Sequence, residues 1–190
     1  MKFSLKLALA LSLILLLPAI ALGQKDNFGA LDTVYADVQK IDNLNWAVTV
    51  SYSNDQNVVG LSIPLKLGAV DNYVVADSAV YTGGRAEHFT FKGFRPDTSV
   101  QCVTLGLIAN LGPTNKTMEP GKGRVVTVFV SSLDDKPIEA LTVDTTTTHP
   151  HNTLMMVADR FQGGEYPDSI PMENRRILEI RPVFVVRYSQ

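Results

Sequence analysis

The sequence predicts an all-β protein, a single-domain, jelly-roll-like antiparallel β-sandwich. Three observations carry this. Residues 24–190 hold 21 Val and 15 Thr, and both types fit a pleated surface better than a helix. Short apolar runs alternate with period two, the mark of a half-buried strand. Clusters of Gly, Pro, Asn and Asp separate those runs at short intervals, as in sandwiches and barrels.

The strands are justified in order. Leu31 to Gln39 reads as the first. Leu44 to Tyr52 is the clearest: Trp46, Val48, Val50 and Tyr52 share one face, and Ala47, Thr49 and Ser51 share the other. Ser53 to Asn57 is a turn. Val58 to Leu67 follows, so residues 44–67 are expected to form a hairpin. Pro64 lacks a backbone donor and belongs at a sheet edge or bulge. Tyr73 to Tyr81 is a further strand, ended by Gly83-Gly84. Glu87 to Lys92 is expected as a short strand and Arg95-Pro96-Asp97 as a turn. Ser99 to Asn110 shows little alternation, which predicts a central place in a sheet. Leu111 to Gly123 reads as a loop. Arg124 to Ser132 carries the strongest strand signal, followed by a turn at Asp134 to Pro137. Ile138 to Val143 and Ile177 to Tyr188 are the late strands, and Thr153 to Arg160 is a strand or one helical turn. No linker divides the chain, which gives one domain over 24–190.

The chain has 190 residues. Its first 23 have the parts of a secretory signal peptide: Lys2 and Lys6, the apolar run Leu7 to Leu17, Pro18, and small residues at Ala21 and Gly23. That run is shorter than the ~20 residues a membrane span needs. The expectation is a secreted protein, extracellular or periplasmic, with no membrane span after signal cleavage. Cys102 is the one cysteine, so no intramolecular disulfide forms and the core must hold the fold alone. It lies in the apolar run Val100 to Ala109 and is expected to be a buried, inert thiol. The formal net charge is −2. Without the basic signal residues the balance is more acidic still, which argues against nucleic acid as a partner.

Several segments resemble cohesin-type modules. Leu31-Asp32-Thr33-Val34 is similar to their first strand, and Val59-Gly60-Leu61-Ser62-Ile63-Pro64-Leu65 to a strand led by glycine. Val103-Thr104-Leu105-Gly106-Leu107-Ile108-Ala109 resembles their central strand. Glu119-Pro120-Gly121-Lys122-Gly123 leading into Val125 to Val130 is similar to their late part. The resemblance covers about residues 31–132. It implies a secreted β-sandwich that binds another protein, in the best-known cases a dockerin module. No binding residue is carried over from it.

Candidate chemistry is sparse. His149-Pro150-His151 can present two imidazoles on one side of an extended segment, as a metal site requires. Asp144, Asp159 and His88 are third ligands by type alone, and a polar loop is the plainer expectation. Asp26-Asn27, Asp42-Asn43, Asn54-Asp55, Asp71-Asn72 and Asp134-Asp135 carry oxygen donors of the kind calcium uses. They lack the spaced acidic loop and read as turn formers. Trp46 and Tyr35, Tyr52, Tyr73 and Tyr81 could stack on sugars, but Trp46 shares its face with Val48 and Val50 and is expected in the core. Asn115-Lys116-Thr117 matches the glycosylation pattern. Gly121-Lys122-Gly123-Arg124 lacks phosphate-loop spacing. Glu87 and His88 are strand neighbours that face opposite ways, a poor dyad. Arg175-Arg176 reads as a solvated turn. No nucleophile elbow or metalloprotease helix occurs.

The expected function is therefore a non-catalytic binding or adhesion module without a cofactor. It would recognise a dockerin-like or cell-surface protein through a sheet face or loop rim. The alternatives are a carbohydrate-binding module taking a polysaccharide on exposed aromatics, a glycosidase with paired carboxylates, and a subunit that accepts a neighbour's strand.

Overall fold

The computed structural model describes residues 30–70, 72–109, 116–146, 154–158 and 178–189. Eleven strands and no helix occur among them: β1 (Thr33–Lys40), β2 (Asn45–Asn54), β3 (Val58–Ala69), β4 (Val74–Val80), β5 (Phe91–Asp97), β6 (Cys102–Ile108), β7 (Gly121–Ser132), β8 (Leu141–Asp144), β9 (Met155–Ala158), β10 (Leu178–Ile180) and β11 (Val183–Tyr188). They form two sheets. One has the order β11-β1-β2-β7-β4. The other runs β10-β9-β3-β6-β5, with β8 also paired to β3. The all-β sandwich expected from the sequence is the observed architecture.

The core lies between the sheets and follows from strand periodicity. Trp46, Val48, Val50 and Tyr52 of β2 face inward and are buried, as are Val34, Ala36 and Val38 of β1. The opposite layer supplies Leu61, Ile63, Leu65 and Leu67 of β3 and Val103, Leu105 and Leu107 of β6. Each fully buried Val, Leu or Ile contributes about 1.5–3 kcal/mol relative to exposure. Cys102 is buried, and its thiol donates to the Val100 carbonyl oxygen at 3.3 Å.

Several local expectations are corrected. Residues 44–67 do not form a hairpin: β2 pairs with β1 and β7, whereas β3 pairs with β6, β8 and β9 in the other sheet. Both strands bury one face, so period two alone cannot tell a hairpin from a crossing between layers. The strand expected at Glu87 to Lys92 lies instead at Phe91–Asp97 and takes in Arg95-Pro96-Asp97, expected as a turn. Residues 82–90 form a turn, where Glu87 N donates to Gly84 O at 3.0 Å and Phe89 N to Ala86 O at 3.0 Å. Ile177 to Tyr188 is not one strand. Arg181-Pro182 separates β10 from β11, and the two join different sheets; a proline removes a donor and restricts the residue before it. Finally, the sandwich is not wholly antiparallel, because β11 runs parallel to β1.

Pro64, expected at a sheet edge or bulge, lies instead in the interior strand β3, and it shows how the sheet accommodates a missing donor. In β3 the hydrogen-bonded pairs with β6 include Val59 with Ala109 and Leu67 with Gln101, joined at 2.8 Å each. Alternation then directs the Pro64 nitrogen away from β6. On that other side β9 pairs as far as Ser62 and β8 begins at Lys66. Pro64 therefore occupies a gap between two partner strands. Pro96 is placed by the same logic: it lies in β5, at the end of its sheet, where a strand tolerates proline.

One end of the sandwich is closed by Arg85. Its Nη1 lies 2.9 Å from Tyr52 O, 2.8 Å from Asn54 Oδ1 and 2.9 Å from Gly121 O, and its Nη2 donates to Glu119 O. Burial lowers the Arg85 pKa, while Tyr52 and Asp32 act the other way. Gly84 beside it is required by space: a Cβ there would stand 2.4 Å from Val125 O.

Candidate partner-binding face

The outer face of the β10-β9-β3-β6-β5 sheet is assembled by register, since residues opposite one another in a ladder share a face. Phe91, Ile108, Gly60 and Val157 form one row across β5, β6, β3 and β9. Gly93, Gly106, Ser62 and Met155 form the next. Arg95, Thr104 and Pro64 follow, and then Asp97, Cys102, Lys66 and Asp144. The middle of this face is thus a shallow trough of Gly93, Gly106 and Ser62, partly filled by the Phe91 ring. An apolar row flanks one side and a more polar row the other.

The glycines set the depth of the trough. The Phe91 ring edge lies 3.0 Å from where a Cβ on Gly93 would be, and 3.9 Å from a Cβ on Gly106. The ring therefore lies down over bare backbone and does not stand off the sheet. Phe91 is 46% exposed and Ile108 41%, so two large apolar side chains remain open to solvent. The polar end is tied to its own backbone. Lys66 Nζ donates to Val100 O, and Asp97 Oδ1 accepts from the Ser99 hydroxyl at 2.6 Å and the Ser99 N–H at 3.1 Å. Arg95 is exposed and has no carboxylate partner among the described residues.

The outer face of the other sheet is different. It presents Thr33, Thr49, Ser51, Ser53, Thr127 and Ser131 from β1, β2 and β7, together with Ala47 opposite Phe129 and with Val183 and Val185 of β11. Two aromatics lie on it, Phe129 and Tyr35, and Tyr35 has Lys122 Nζ 4.6 Å and Arg187 Cζ 4.5 Å from its ring centroid. Arg187 also pairs with Asp37 through Nε to Oδ1 at 2.6 Å and Nη2 to Oδ2 at 2.6 Å. That bond to Asp37 raises the Arg187 pKa.

The residues singled out in the sequence are dispersed. Trp46 and Tyr52 are in the core, and the Tyr52 hydroxyl donates to buried Asp32. Tyr81 is half-buried, donates to Gly93 O at 3.3 Å and is pushed up to about 12 by burial. Tyr73 sits alone on a loop at the far end, so these rings build no flat platform among the described residues. Glu87 Oε2 accepts from Gly83 N at 2.8 Å, while His88 Nε2 lies 3.1 Å from Thr117 O; the two do not meet as a dyad. Asp42 forms a turn, as expected, whereas Asn54 ends β2, where its side chain is buried and accepts from Arg85. Asp42 Oδ1 accepts from Leu44 N at 2.7 Å and Asn45 N at 2.8 Å, and the Asn45 side chain holds its carboxyl below the usual range. His88 lies in the 82–90 turn at one end and Asp144 in β8 toward the other. Among the described residues no three His, Cys, Asp or Glu gather as a metal site would require. His149, His151, Asp159 and Arg175-Arg176 lie outside the described residues, as do Asn115 and the segment 1–23.

Sequence reasoning missed both the trough and Arg85. A glycine inside a strand marks close approach by another group, and Gly93 and Gly106 carried that signal.

No protein-family model and no curated protein matches the sequence. Solved structures do. The sixth cohesin of Acetivibrio cellulolyticus scaffoldin B, in complex with a Cel5 dockerin mutant, is 8% identical, with a TM-score of 0.53 over 84% of this chain and 100% of that one. A type I cohesin–dockerin complex from Clostridium thermocellum is 5% identical, with a TM-score of 0.52 over 86% of this chain and 94% of that one. The fold is cohesin-like. No helix among the described residues is long and apolar enough to cross a membrane.

Proposed function

We propose that this chain is a secreted, non-catalytic recognition module that docks a dockerin-like protein on the outer face of the β10-β9-β3-β6-β5 sheet. The observation that carries the reading is the trough of Gly93, Gly106 and Ser62 beside exposed Phe91 and Ile108. A flat, rigid, partly apolar surface gains by being covered, and a fixed sheet limits the entropy lost on docking. The cohesin-like fold agrees with this, since both similar structures named above are complexes with dockerins. Secretion is inferred from the signal-like residues 1–23.

A sugar-binding reading needs coplanar exposed rings, and Phe91 has no second ring in its row. A strand-accepting subunit needs an open edge. Of the four edge strands, β5 carries Lys92 and Pro96 and β4 carries a bulge between Ala76 and Ser78, devices that discourage strand addition, which leaves only β10 and β11 for such a reading.

The test is a panel of dockerin modules displayed on yeast and sorted for binding to the labelled, purified chain. Binders are expected, and Phe91→Ala with Ile108→Ser should abolish their capture. Failure of every dockerin, together with retention of the chain on cellulose or chitin, would overturn the proposal in favour of a carbohydrate-binding module.

A further inference from the structure

β11 (Val183–Tyr188) is the edge of the β11-β1-β2-β7-β4 sheet, and among the described residues no strand pairs with its outer side. Its parallel pairing with β1 fixes which backbone groups are free. Val183 N donates to Asp32 O at 2.9 Å and Ser189 N to Val38 O at 3.1 Å. By alternation, Val185 and Arg187 also point their peptide groups at β1. Phe184, Val186 and Tyr188 therefore turn their N–H and C=O outward, away from the sheet. Pro182, next in that series, has no N–H. Side-chain burial falls off at the same line. Val34, Ala36 and Val38 of β1 are fully buried, but their ladder neighbours Phe184 and Val186 are half-buried and Tyr188 is 56% exposed.

Edge strands are normally blunted by a proline, a bulge, an inward charge or short length. β5 and β4 carry such devices, and β10 has only 3 residues. β11 has 6, with no proline inside it and no bulge against β1. Its one charge, Arg187, points to the outer face and is bonded to Asp37 at 2.6 Å. The strand is also self-complementary. An antiparallel copy centred on Val186 places Phe184 opposite Tyr188, Val186 opposite itself and Val185 opposite Arg187. That register uses all the outward residues of both copies, for about six backbone hydrogen bonds. Centring on Phe184 or Val185 would set Val186 or Tyr188 against Pro182, which has no N–H to give. Centring on Arg187 would set two arginines opposite each other, which is unfavourable.

We propose that β11 is a dimerisation edge: two copies of this chain join by antiparallel β11–β11 pairing about a two-fold axis at Val186, which makes one continuous sheet across both. Phe184 of each copy then covers the exposed Tyr188 ring of the other, and the added strand buries the apolar row that β11 leaves half-open. A contact of one short strand is smaller than a standard interface, so the dimer should dissociate in the micromolar range. β5 lies beside β4, on the opposite side of the sandwich, so the Phe91 and Ile108 surfaces of both copies stay open. On the reading given above, the dimer therefore presents two troughs and gains by bivalent attachment. The pairing itself does not depend on that reading.

The experiment is sedimentation of the purified chain across micromolar concentrations, with backbone hydrogen exchange read residue by residue. The parent should pass from monomer to dimer. The N–H groups of Phe184, Val186 and Tyr188 should become protected as it does, whereas those of Val185 and Arg187 should be protected throughout. Val186→Pro removes an outward donor and no bond to β1, so it should melt within about 5 °C of the parent and weaken the dimer about tenfold or more. Tyr188→Lys changes an exposed side chain and should weaken it by a similar factor, about tenfold. Val186→Cys should give a disulfide-linked dimer on mild oxidation, because the Cα atoms of a hydrogen-bonded antiparallel pair lie about 5.5 Å apart; the buried Cys102 should not cross-link. Phe91→Ala should leave the dimer unchanged, and dockerin capture by the Val186→Pro monomer should persist, so failure of either reading leaves the other standing. Three results overturn the proposal. One is a chain that stays monomeric at every concentration, whether its outward N–H groups exchange freely or are already protected by its own residues. Another is a dimer that survives both Val186→Pro and Tyr188→Lys. The third is a cross-link at Val185→Cys or Arg187→Cys in place of Val186→Cys.

Discussion

Across the sandwich, β1, β2 and β7 turn Thr33, Thr49, Ser51, Ser53 and Thr127 toward solvent, whereas β5, β6 and β3 turn Phe91, Ile108, Gly93, Gly106 and Gly60 outward. Both faces come from alternating strands over one core, and the inward positions are alike. The outward positions decide what each face can do. On the hydroxyl-bearing face the charges are largely settled within the face, since Arg187 pairs with Asp37, and Arg187 and Lys122 each lie over the Tyr35 ring. Covering that face would strip water from groups already satisfied. On the glycine-floored face two large apolar side chains stay half-exposed on a flat support, and covering them is favourable.

The sharpest break of this contrast is a pair of variants. Phe91→Ala with Ile108→Ser should weaken the protein partner by about a hundredfold or more, as loss of a central anchor does. Tyr35→Ala on the other face should change affinity less than about threefold, because it removes no open apolar surface. Titration calorimetry with a dockerin recovered as above reads both. Equal losses on the two faces would end the distinction.

A second variant asks whether the faces share one scaffold. Arg85→Met keeps much of the stem but leaves the carbonyls of Tyr52, Gly121 and Glu119 without their shared donor. Unmet polar groups cost about 1–3 kcal/mol each when buried. These lie partly open at the end of the sandwich, so a total loss of about 2–3 kcal/mol is expected by denaturant melting. Because β2 and β7 belong to one sheet and the Arg85 turn leads into β5 of the other, the loss should appear as one cooperative transition. Two separate transitions would mean that the sheets melt independently.

The contrast was partly legible in the sequence. The inward set Trp46, Val48, Val50 and Tyr52 could be read because it repeats every second residue and needs only local pattern. The pairing of β2 could not, because its partners β1 and β7 are chosen by packing across the layers and the turn at 53–57 looks like any hairpin turn. The trough escaped for a related reason. The strand expected at 87–92 stopped short of Gly93, so Gly93 and Gly106 were never set opposite each other. Arg85 was invisible because most of its acceptors are backbone oxygens, which have no residue-type signature. Pro64 is expected at a sheet edge or bulge from its missing donor, but the gap between β8 and β9 lets a strand inside a sheet hold it.

The smallest expected effect tests the hydroxyl-bearing face from within. Asp37→Asn removes the partner of Arg187, but both side chains are well exposed, at 46% and 39% for Arg187 and Asp37. Screening by water and salt holds such a pair to about 0–1 kcal/mol, so the melting temperature should fall by no more than a few degrees, and less at high salt. The pH dependence has a definite sign. The Asp37 hydrogen bond raises the Arg187 pKa above its ordinary value, so its share of stability is fully present at neutral pH and is lost only as pH rises through the higher, folded pKa. Across neutral pH, the parent and Asp37→Asn should therefore differ by a constant amount as far as Arg187 is concerned. Partner affinity should not change. A large loss of binding in Asp37→Asn would place a recognised group on the hydroxyl-bearing face and reverse the roles assigned to the two sheets.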